Sequence, residues 1–588
     1  MDSSETKIKM NRIIVNIILL MACVVQIDAT ENIALKGLNC SNSSSELSLK
    51  YVLPVRVVHT YGEVVGSEHL LTNSARQVSL STSDVCAISS TGGKSSGILL
   101  DFGKEIHGGL KLYAAVRATY RPVKIRIRFG ESVAEAMTQV GIDNATNDHA
   151  MRDFVVEVPW LGSIEVGNSA YRFVNIELAE PDIDLNLALV EGIFKYRDIP
   201  YLGRFKCDNP RLNQIWETGA YTVHLNMQEY LWDGVKRDRL VWVGDMHPEV
   251  MTINSVFGRN EVVNKSLDFV RDDTPLPGWM NGMCSYSLWW IIIQRDLYMH
   301  CGDLDYLKQQ ESYLDKIADQ IIENCSDGKE NFKNGERFLD WPTSDKPEII
   351  HAGLHALAIM SMEAASELGK WLGNTELSSK CADATGKLRK YLPDNFGNKQ
   401  ASALQALANI GNADALAKNI LRDGADGFST FYGFYMLEAL AKAGRYDEAM
   451  KIISDYWGGM IDLGATTFWE DVSMGDLRIS SRIDSIPAEG QFNFHSKGGR
   501  YCYRQLRNSL CHGWASGPTP WLSRHVLGII PIEPGFRKIK IEPHLGSLKQ
   551  VEGSIPTPYG VIEVRHHRDK NNKIKTDVKL PKGIQLVK

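Results

Sequence analysis

At 588 residues the chain exceeds what one ordinary hydrophobic core can organise, and about three or four domains are expected from length alone. Its apolar (44%) and charged (23%) fractions are those of a soluble globular protein, which excludes a disordered or low-complexity chain. A net charge of -6 over this length argues against a basic nucleic-acid footprint, so no nucleic-acid partner is expected.

The first predicted element is a leader over residues 1–29. Lys7, Lys9 and Arg12 precede the apolar run Ile13 to Val25, which is too short to span a bilayer comfortably but suits the core of a secretory signal. Two cleavage points compete. Cleavage within Leu20-Met-Ala-Cys23 would leave a lipid-bearing Cys23, an anchor; cleavage after Ala29 would release a soluble chain. The valines after Cys23 and the loose lipobox favour release. Either way the sequence predicts export to the periplasm or beyond. No later segment reaches eighteen apolar residues, so no transmembrane helix is expected. The ten cysteines form no CxxC pair and read mainly as small buried apolar residues; any disulfide pairing stays open.

Residues 30–204 carry a period of two. Val123, Ile125, Ile127 and Phe129 alternate with Lys124, Arg126 and Arg128, which predicts a half-buried antiparallel strand. Phe154–Val158 and Tyr171–Leu178 follow the same rule, and the short spacing of Gly, Asn, Asp and Ser breaks favours a β-sandwich. Near Phe205–Pro210 the period becomes helical and stays so over residues 205–525. Leu307, Leu314, Ile317, Ile321 and Ile322 make one apolar stripe; Leu354, Leu357, Met362, Ala365 and Leu368 make another, ended by Gly369 and Gly373. A further helix pair turns at Gly444. Paired helices stacked in a ring or solenoid are expected, although no fixed repeat length is visible. Over residues 526–588 alternation returns at Lys538–Glu542, Gly560–Val564 and Lys573–Leu580, a small closing β-domain.

The chemistry concentrates in the helical region. Between Trp232 and Glu249 lie Asp233, Arg237, Asp238, Arg239, Trp242 and Asp245; far along the chain, Gly464-Ala-Thr-Thr-Phe-Trp-Glu470 sets a carboxylate behind Trp469. Acids beside flat aromatic faces suit glycosidic bond cleavage, in which one acid protonates the leaving oxygen and another activates water or attacks. The same aspartates also fit a structural ion-pair network with Arg237 and Arg239. The loop-like Phe338-Leu-Asp-Trp-Pro342 adds Asp340 and Trp341 as candidate substrate contacts. His351 and His355 stand at i, i+4 without an obvious third ligand, so neither a metal nor another cofactor is expected.

Three motifs in this order resemble the α-L-rhamnosidases of glycoside hydrolase family 78. Asp233 to Asp245 lies without a gap on the family's Asp-Cys-Pro-Gln-Arg-Glu-x-Leu-Gly-Trp-x-Gly-Asp pattern, Thr466-Thr-Phe-Trp-Glu470 on its second motif, and Cys511-His-Gly-Trp-Ala-Ser-Gly-Pro518 on its third. The resemblance covers roughly residues 90 to 570. It implies an (α/α)6 barrel flanked by N-terminal and C-terminal antiparallel β-sandwiches, and an inverting release of terminal α-L-rhamnose from poly- or oligosaccharides or glycosides. Residue by residue, it makes Glu470 the general base and places Asp238 on the general-acid position, Asp233 and Asp245 on acids that bind rhamnose hydroxyls, and Trp242 and His512 on the pocket lining. Arg237, Trp469 and Trp514 complete the expected substrate-binding set.

Asp238 departs from the family, which usually has glutamate there. Its carboxyl sits about 1.5 Å nearer the backbone; Asp233 and Asp245 favour its protonated form, while Arg237 and Arg239 oppose it if they point inward. Glu249 therefore stays open as the acid. Two other functions also stay open: a hydrolase for another α-linked deoxyhexose or a uronic acid, and a non-catalytic carbohydrate-binding relative. The sequence leaves the oligomeric state undetermined.

Overall fold

Branched apolar residues alternating with charged ones build the N-terminal sheet of the computed structural model, which describes residues 45–587. The predicted leader, with Cys23 and both cleavage points, lies outside the described residues. From Leu47 onward the chain forms one compact unit.

Nine strands make one antiparallel sheet: β1 (Leu47–Val52), β2 (Arg56–Tyr61), β3 (Glu63–Val65), β4 (Cys86–Ser89), β5 (Gly97–Ala114), β6 (Val123–Gly130), β7 (Asp153–Val158), β8 (Gly162–Leu178) and β9 (Asp184–Arg197). Its main path runs β3-β4-β9-β5-β8-β6-β7, with β1 paired to β9 and β2 to β5. Register breaks between Asp101 and Ile106, and between Gly108 and Leu110, bend the long β5. Gly108 has φ 145°, and a Cβ there would lie 1.9 Å from the Ile193 carbonyl oxygen, so no larger residue fits.

The expected alternation holds in the first half of β6: Val123, Ile125, Ile127 and Phe129 are fully buried and Lys124 is exposed, but Arg126 is half-buried and Arg128 buried. It fails in β8, where Tyr171 to Ile176 are buried on both faces. The reason is that the second face meets the helical body rather than water. Arg172 donates to the Gly464 carbonyl at 2.9 Å and pairs with Asp101 at 2.8 Å, which satisfies a charge that the simple pattern assigns to solvent.

The helical body opens at α1 (Pro210–Asn226), whose N-cap Asn209 accepts from the Arg211 N–H and whose first residue is proline. It continues through α2 (Met246–Val256), α3 (Glu261–Asp272), α4 (Cys284–Cys301), α5 (Leu304–Asn324), α6 (Pro347–Leu372), α7 (Thr375–Leu388), α8 (Lys399–Leu407), α9 (Ala413–Leu421), α10 (Gly433–Lys442) and α11 (Tyr446–Asp462). Helix α2 packs on α4, α4 on α6, α6 on α8, α8 on α10, and α10 on the helical turns between residues 513 and 526, which pack back on α2. Helices α1, α5, α7, α9 and α11 cover that inner series from outside. The division follows from composition. Every residue of α2 is buried, whereas α5 buries one face, including the stripe Leu307, Leu314, Ile317 and Ile321 with Ile322 half-buried, and exposes Asp305, Lys308, Lys316 and Asp319. Helix α6 has the length and mean apolarity that could cross a bilayer, but 83% of its apolar window is buried inside the protein, which makes it a core helix.

Strand β10 (Arg204–Cys207) lies where the sequence turns helical, yet it pairs antiparallel with a strand near the C-terminus. There β11 (Ile529–Pro531), β12 (Lys538–Ile541), β13 (Gln550–Thr557), β14 (Gly560–Arg568), β15 (Ile574–Lys579) and β16 (Gln585–Leu586) form two small sheets, β10-β13-β14-β15 and β11-β12-β16. The closing β-domain thus borrows its edge from the entry to the helical body.

Candidate active site

The loop between α1 and α2 is shaped by one buried carboxylate. Asp233 accepts the backbone N–H groups of Asp238 at 2.9 Å and Leu240 at 3.0 Å, which folds residues 233–240 back on themselves. Burial pushes the Asp233 carboxyl up to about 7, although these two N–H groups pull the other way. Its carbonyl accepts from the Gly513 N–H at 2.9 Å, and Gly234 forms an antiparallel bridge to His512. His512 in turn donates its N–H to Phe468 at 3.0 Å, and Glu470 donates to Ser509 at 2.9 Å. Backbone pairing of this kind draws the three distant motifs into one place.

Arg237 lies at their junction. Its buried guanidinium donates to Asp238 Oδ1 at 2.8 Å, to Glu470 Oε2 and to the Arg507 carbonyl at 3.0 Å, and the Tyr503 ring lies 3.8 Å beneath it. Burial alone would raise the Glu470 carboxyl, but the Arg237 charge overrides it and holds it down to about 2, assisted by the Ser509 N–H at 3.0 Å. Glu470 is therefore an ionised acceptor at any ordinary pH. The Cys502 thiol donates to its other oxygen at 3.1 Å.

His512 Nε2 stands 3.6 Å from Asp233, 3.9 Å from Asp245 and 4.0 Å from Glu470. Burial lowers its pKa to about 4, so the imidazole is neutral near pH 7. Asp245 accepts the Tyr286 hydroxyl at 2.7 Å; burial and the nearby Asp233 raise its carboxyl well above the usual range. Asp233 and Asp245 thus hold protons readily and can both donate to and accept from hydroxyl groups. Asp238 is the most open member, its side chain 15% exposed, and its Oδ1 also meets His149 Nε2 at 3.3 Å. The two arginines that bracket it diverge. Arg237 points inward, whereas Arg239, with φ 64°, turns outward to the Asn168 carbonyl at 3.1 Å and His107 at 2.9 Å.

Asp233, Arg237, Asp238, Asp245, Glu470 and His512 come together as the motifs predict. Trp242 and Trp341 stay partly exposed at the edge, Trp242 against Tyr286 and Trp341 6.0 Å from Tyr503. Three expected substrate contacts need correction. Trp469 is 0% exposed and stacks flat on Phe494 at 5.1 Å, so its ring belongs to the core. Trp514 stacks on Phe431 and donates its indole N–H to the Glu470 carbonyl at 2.9 Å, supporting Glu470 from behind. Asp340, 1% exposed, accepts from the Trp341 N–H, Gln400 and Ser429, and caps a helical turn. Glu249 is 0% exposed and lies behind Gly513, where a Cβ would come 1.6 Å from its Oε1, so it is more enclosed than Asp238.

His149, Tyr286, Cys502 and Tyr503 reach the site from other segments and carried no spacing signal. Glu131, Glu135 and His495 lie close enough together to suggest a buried metal site. Lys236 Nζ already sits 2.8 Å from Glu131 and 3.2 Å from Glu135, so an ammonium takes the place a metal cation would fill. Glu131 also accepts the Leu510 N–H at 2.7 Å, tying the nine-stranded sheet to the loop that holds Glu470.

Residues 200–526 match the family model for the bacterial alpha-L-rhamnosidase six-hairpin glycosidase domain, and residues 528–587 that for the bacterial alpha-L-rhamnosidase C-terminal domain. An alpha-L-rhamnosidase from Alteromonas sp. (strain LOR) is 25% identical over 517 residues, covering 79% of this chain and 53% of that protein. Among solved structures, the GH78 family rhamnosidase of Bacillus sp. GL1 superposes with a TM-score of 0.71 at 20% identity over 86% of this chain and 54% of its own. The rhamnosidase from Klebsiella oxytoca with rhamnose bound gives a TM-score of 0.63 at 18% identity over 81% of this chain and 96% of its own. The chain spans about half the length of the Alteromonas relative (53%).

Proposed function

We propose, from the premise that this chain belongs to the bacterial alpha-L-rhamnosidase six-hairpin glycosidase family, that it is a glycoside hydrolase releasing terminal α-L-rhamnose from oligo- or polysaccharides or glycosides. In this reading the inner helical series is the core of an (α/α)6 barrel over residues 205–525, flanked by N-terminal and C-terminal β-sandwiches; the return of residues 513–526 onto α2 supports it. The leader sequence supports export.

The observation that carries the function is Arg237 bridging an open carboxyl, Asp238, and a buried ionised one, Glu470, beside two neutral-leaning acids. Asp238 gives its proton to the leaving glycosidic oxygen. Glu470 draws a proton from water attacking the opposite face of the anomeric carbon, so the configuration inverts. Inversion needs carboxyls roughly 6.5–9.5 Å apart, and a guanidinium interposed between them favours such a gap over direct contact. Asp233, Asp245 and neutral His512 hold the sugar hydroxyls.

The test is chromatography of the products from rhamnose-capped oligosaccharides with wild type and Glu470→Gln. The wild type is expected to release free rhamnose and the variant to lose about 10²–10⁴-fold in kcat. Near-normal turnover by Glu470→Gln removes Glu470 from the base role.

A further inference from the structure

Glu131 follows strand β6 of the nine-stranded sheet and belongs to none of the site's motifs, yet its carboxylate is 1% exposed and ends at the loop behind Glu470. Burying a carboxylate is costly unless donors meet it. Here three do. Oε1 accepts the Ser509 hydroxyl at 3.1 Å, and Oε2 accepts the Leu510 N–H at 2.7 Å and lies 2.8 Å from Lys236 Nζ. Glu135 fixes Glu131 from the sheet side by accepting its N–H at 2.8 Å.

The loop over residues 506–510 is gripped along its length. Lys236 donates to the carbonyls of Leu506 at 3.0 Å and Asn508 at 2.7 Å, Arg237 Nε donates to that of Arg507 at 3.0 Å, and His495 Nε2 meets the Asn508 carbonyl at 2.9 Å. These contacts fix carbonyls. Glu131 fixes the Ser509 hydroxyl and the next N–H, and the Ser509 N–H beside them is the one that reaches Glu470 Oε2 at 3.0 Å. We propose that Glu131 is a positioning residue for the base: it sets this loop so that the Ser509 N–H points at Glu470 and the Arg507 carbonyl meets Arg237. The N-terminal sheet thereby takes part in tuning the catalytic carboxylate. The proposal rests on the reading of Glu470 as base and deepens it.

Two variants cut this link from its two ends without changing the charge count. Glu131→Asp keeps a partner for Lys236 but draws the carboxylate back by about 1.5 Å; Ser509→Ala removes the hydroxyl and keeps the N–H. The groups around Glu470 (Arg237, His512, Cys502, Tyr503, Asp245 and Asp471) and around Glu131 (Lys236, Glu135 and Glu105) keep their identity in both. The profile of kcat/KM from pH 3 to 8 on an activated aryl rhamnoside is compared with wild type and with Tyr221→Phe. That control removes a different sheet-to-body hydrogen bond, from the Tyr221 hydroxyl to the Glu105 carbonyl at 2.6 Å.

The Ser509 N–H holds the Glu470 carboxyl down, so losing its aim lets the carboxyl rise. The acidic limb should move up by about one pH unit in Glu131→Asp, the weight of one hydrogen bond to a charge, and in the same direction in Ser509→Ala. In Glu131→Asp kcat should fall about tenfold while KM stays within about twofold. Tyr221→Phe should lower the melting temperature and leave the limb in place. The limb's position does not depend on how many molecules are folded, so a merely structural tie cannot move it. An unmoved limb in either active variant, or equal movement in Tyr221→Phe, overturns the positioning role. Ser509→Ala, the gentler change, carries the test if Glu131→Asp does not fold. Near-normal turnover by Glu470→Gln overturns the base itself, a separate failure.

Discussion

Removing the Arg237 guanidinium tests the electrostatic design of the site. Its charge is the chief influence that keeps Glu470 ionised against burial, lowering the carboxyl from 4.5 to about 2. At 1.36 kcal/mol per pH unit this difference is about 3 kcal/mol in favour of the charged form. In Arg237→Met the Ser509 N–H and the Cys502 thiol remain, but burial then acts against ionisation. The sign follows: a base whose pKa rises loses its working form as pH falls. The acidic limb of kcat/KM, which reports the free enzyme, should move up by about two pH units in Arg237→Met. Arg237→Lys keeps a charge without the two-pronged geometry and should fall between. The assay is a pH–rate profile from pH 3 to 8 on an activated aryl rhamnoside, with enzyme returned to neutral pH after each point to exclude unfolding. An active Arg237→Met whose acidic limb coincides with wild type would refute this account of Glu470.

Asp238→Asn should lose about 10²–10⁴-fold on a saccharide leaving group and much less on an activated aryl one; if Glu249→Gln shows that pattern instead, the acid has been misassigned. Lys236→Met strands two buried carboxylates and should destabilise the protein by about 3–5 kcal/mol at pH 7. The loss should be smaller at pH 4, where Glu131 and Glu135 can neutralise by taking up protons; a loss independent of pH contradicts it. Trp469→Phe should lower the melting temperature while leaving KM within about twofold, since the ring packs on Phe494 rather than substrate; a tenfold rise in KM would return Trp469 to the binding surface.

The three motifs, through the family they resemble, located Asp233, Asp238, Asp245, Glu470 and His512, and the long-range backbone pairings that join them run between residues of those same motifs. The spacing could not say which way side chains face. Neighbours in non-helical backbone point to opposite sides, so Glu470 turns into the site while Trp469 turns into the core. The contrast between Arg237 and Arg239 depends on a left-handed residue at Arg239 that no composition rule announces. His149 and Tyr503 arrive from segments that carry no motif, His149 through the packing of sheet against helical body and Tyr503 from a loop of the helical body itself. The same packing explains β8: period two predicts one wet face, and the structure covers both.

The most direct test of the central claim is proton NMR of the anomeric region during hydrolysis of an α-L-rhamnosyl oligosaccharide. Opposed action by Asp238 and Glu470 on one anomeric carbon predicts β-L-rhamnose as the first product, with the α anomer growing in only as mutarotation proceeds. First appearance of α-L-rhamnose would contradict the opposed acid and base, and with them the roles given to both residues.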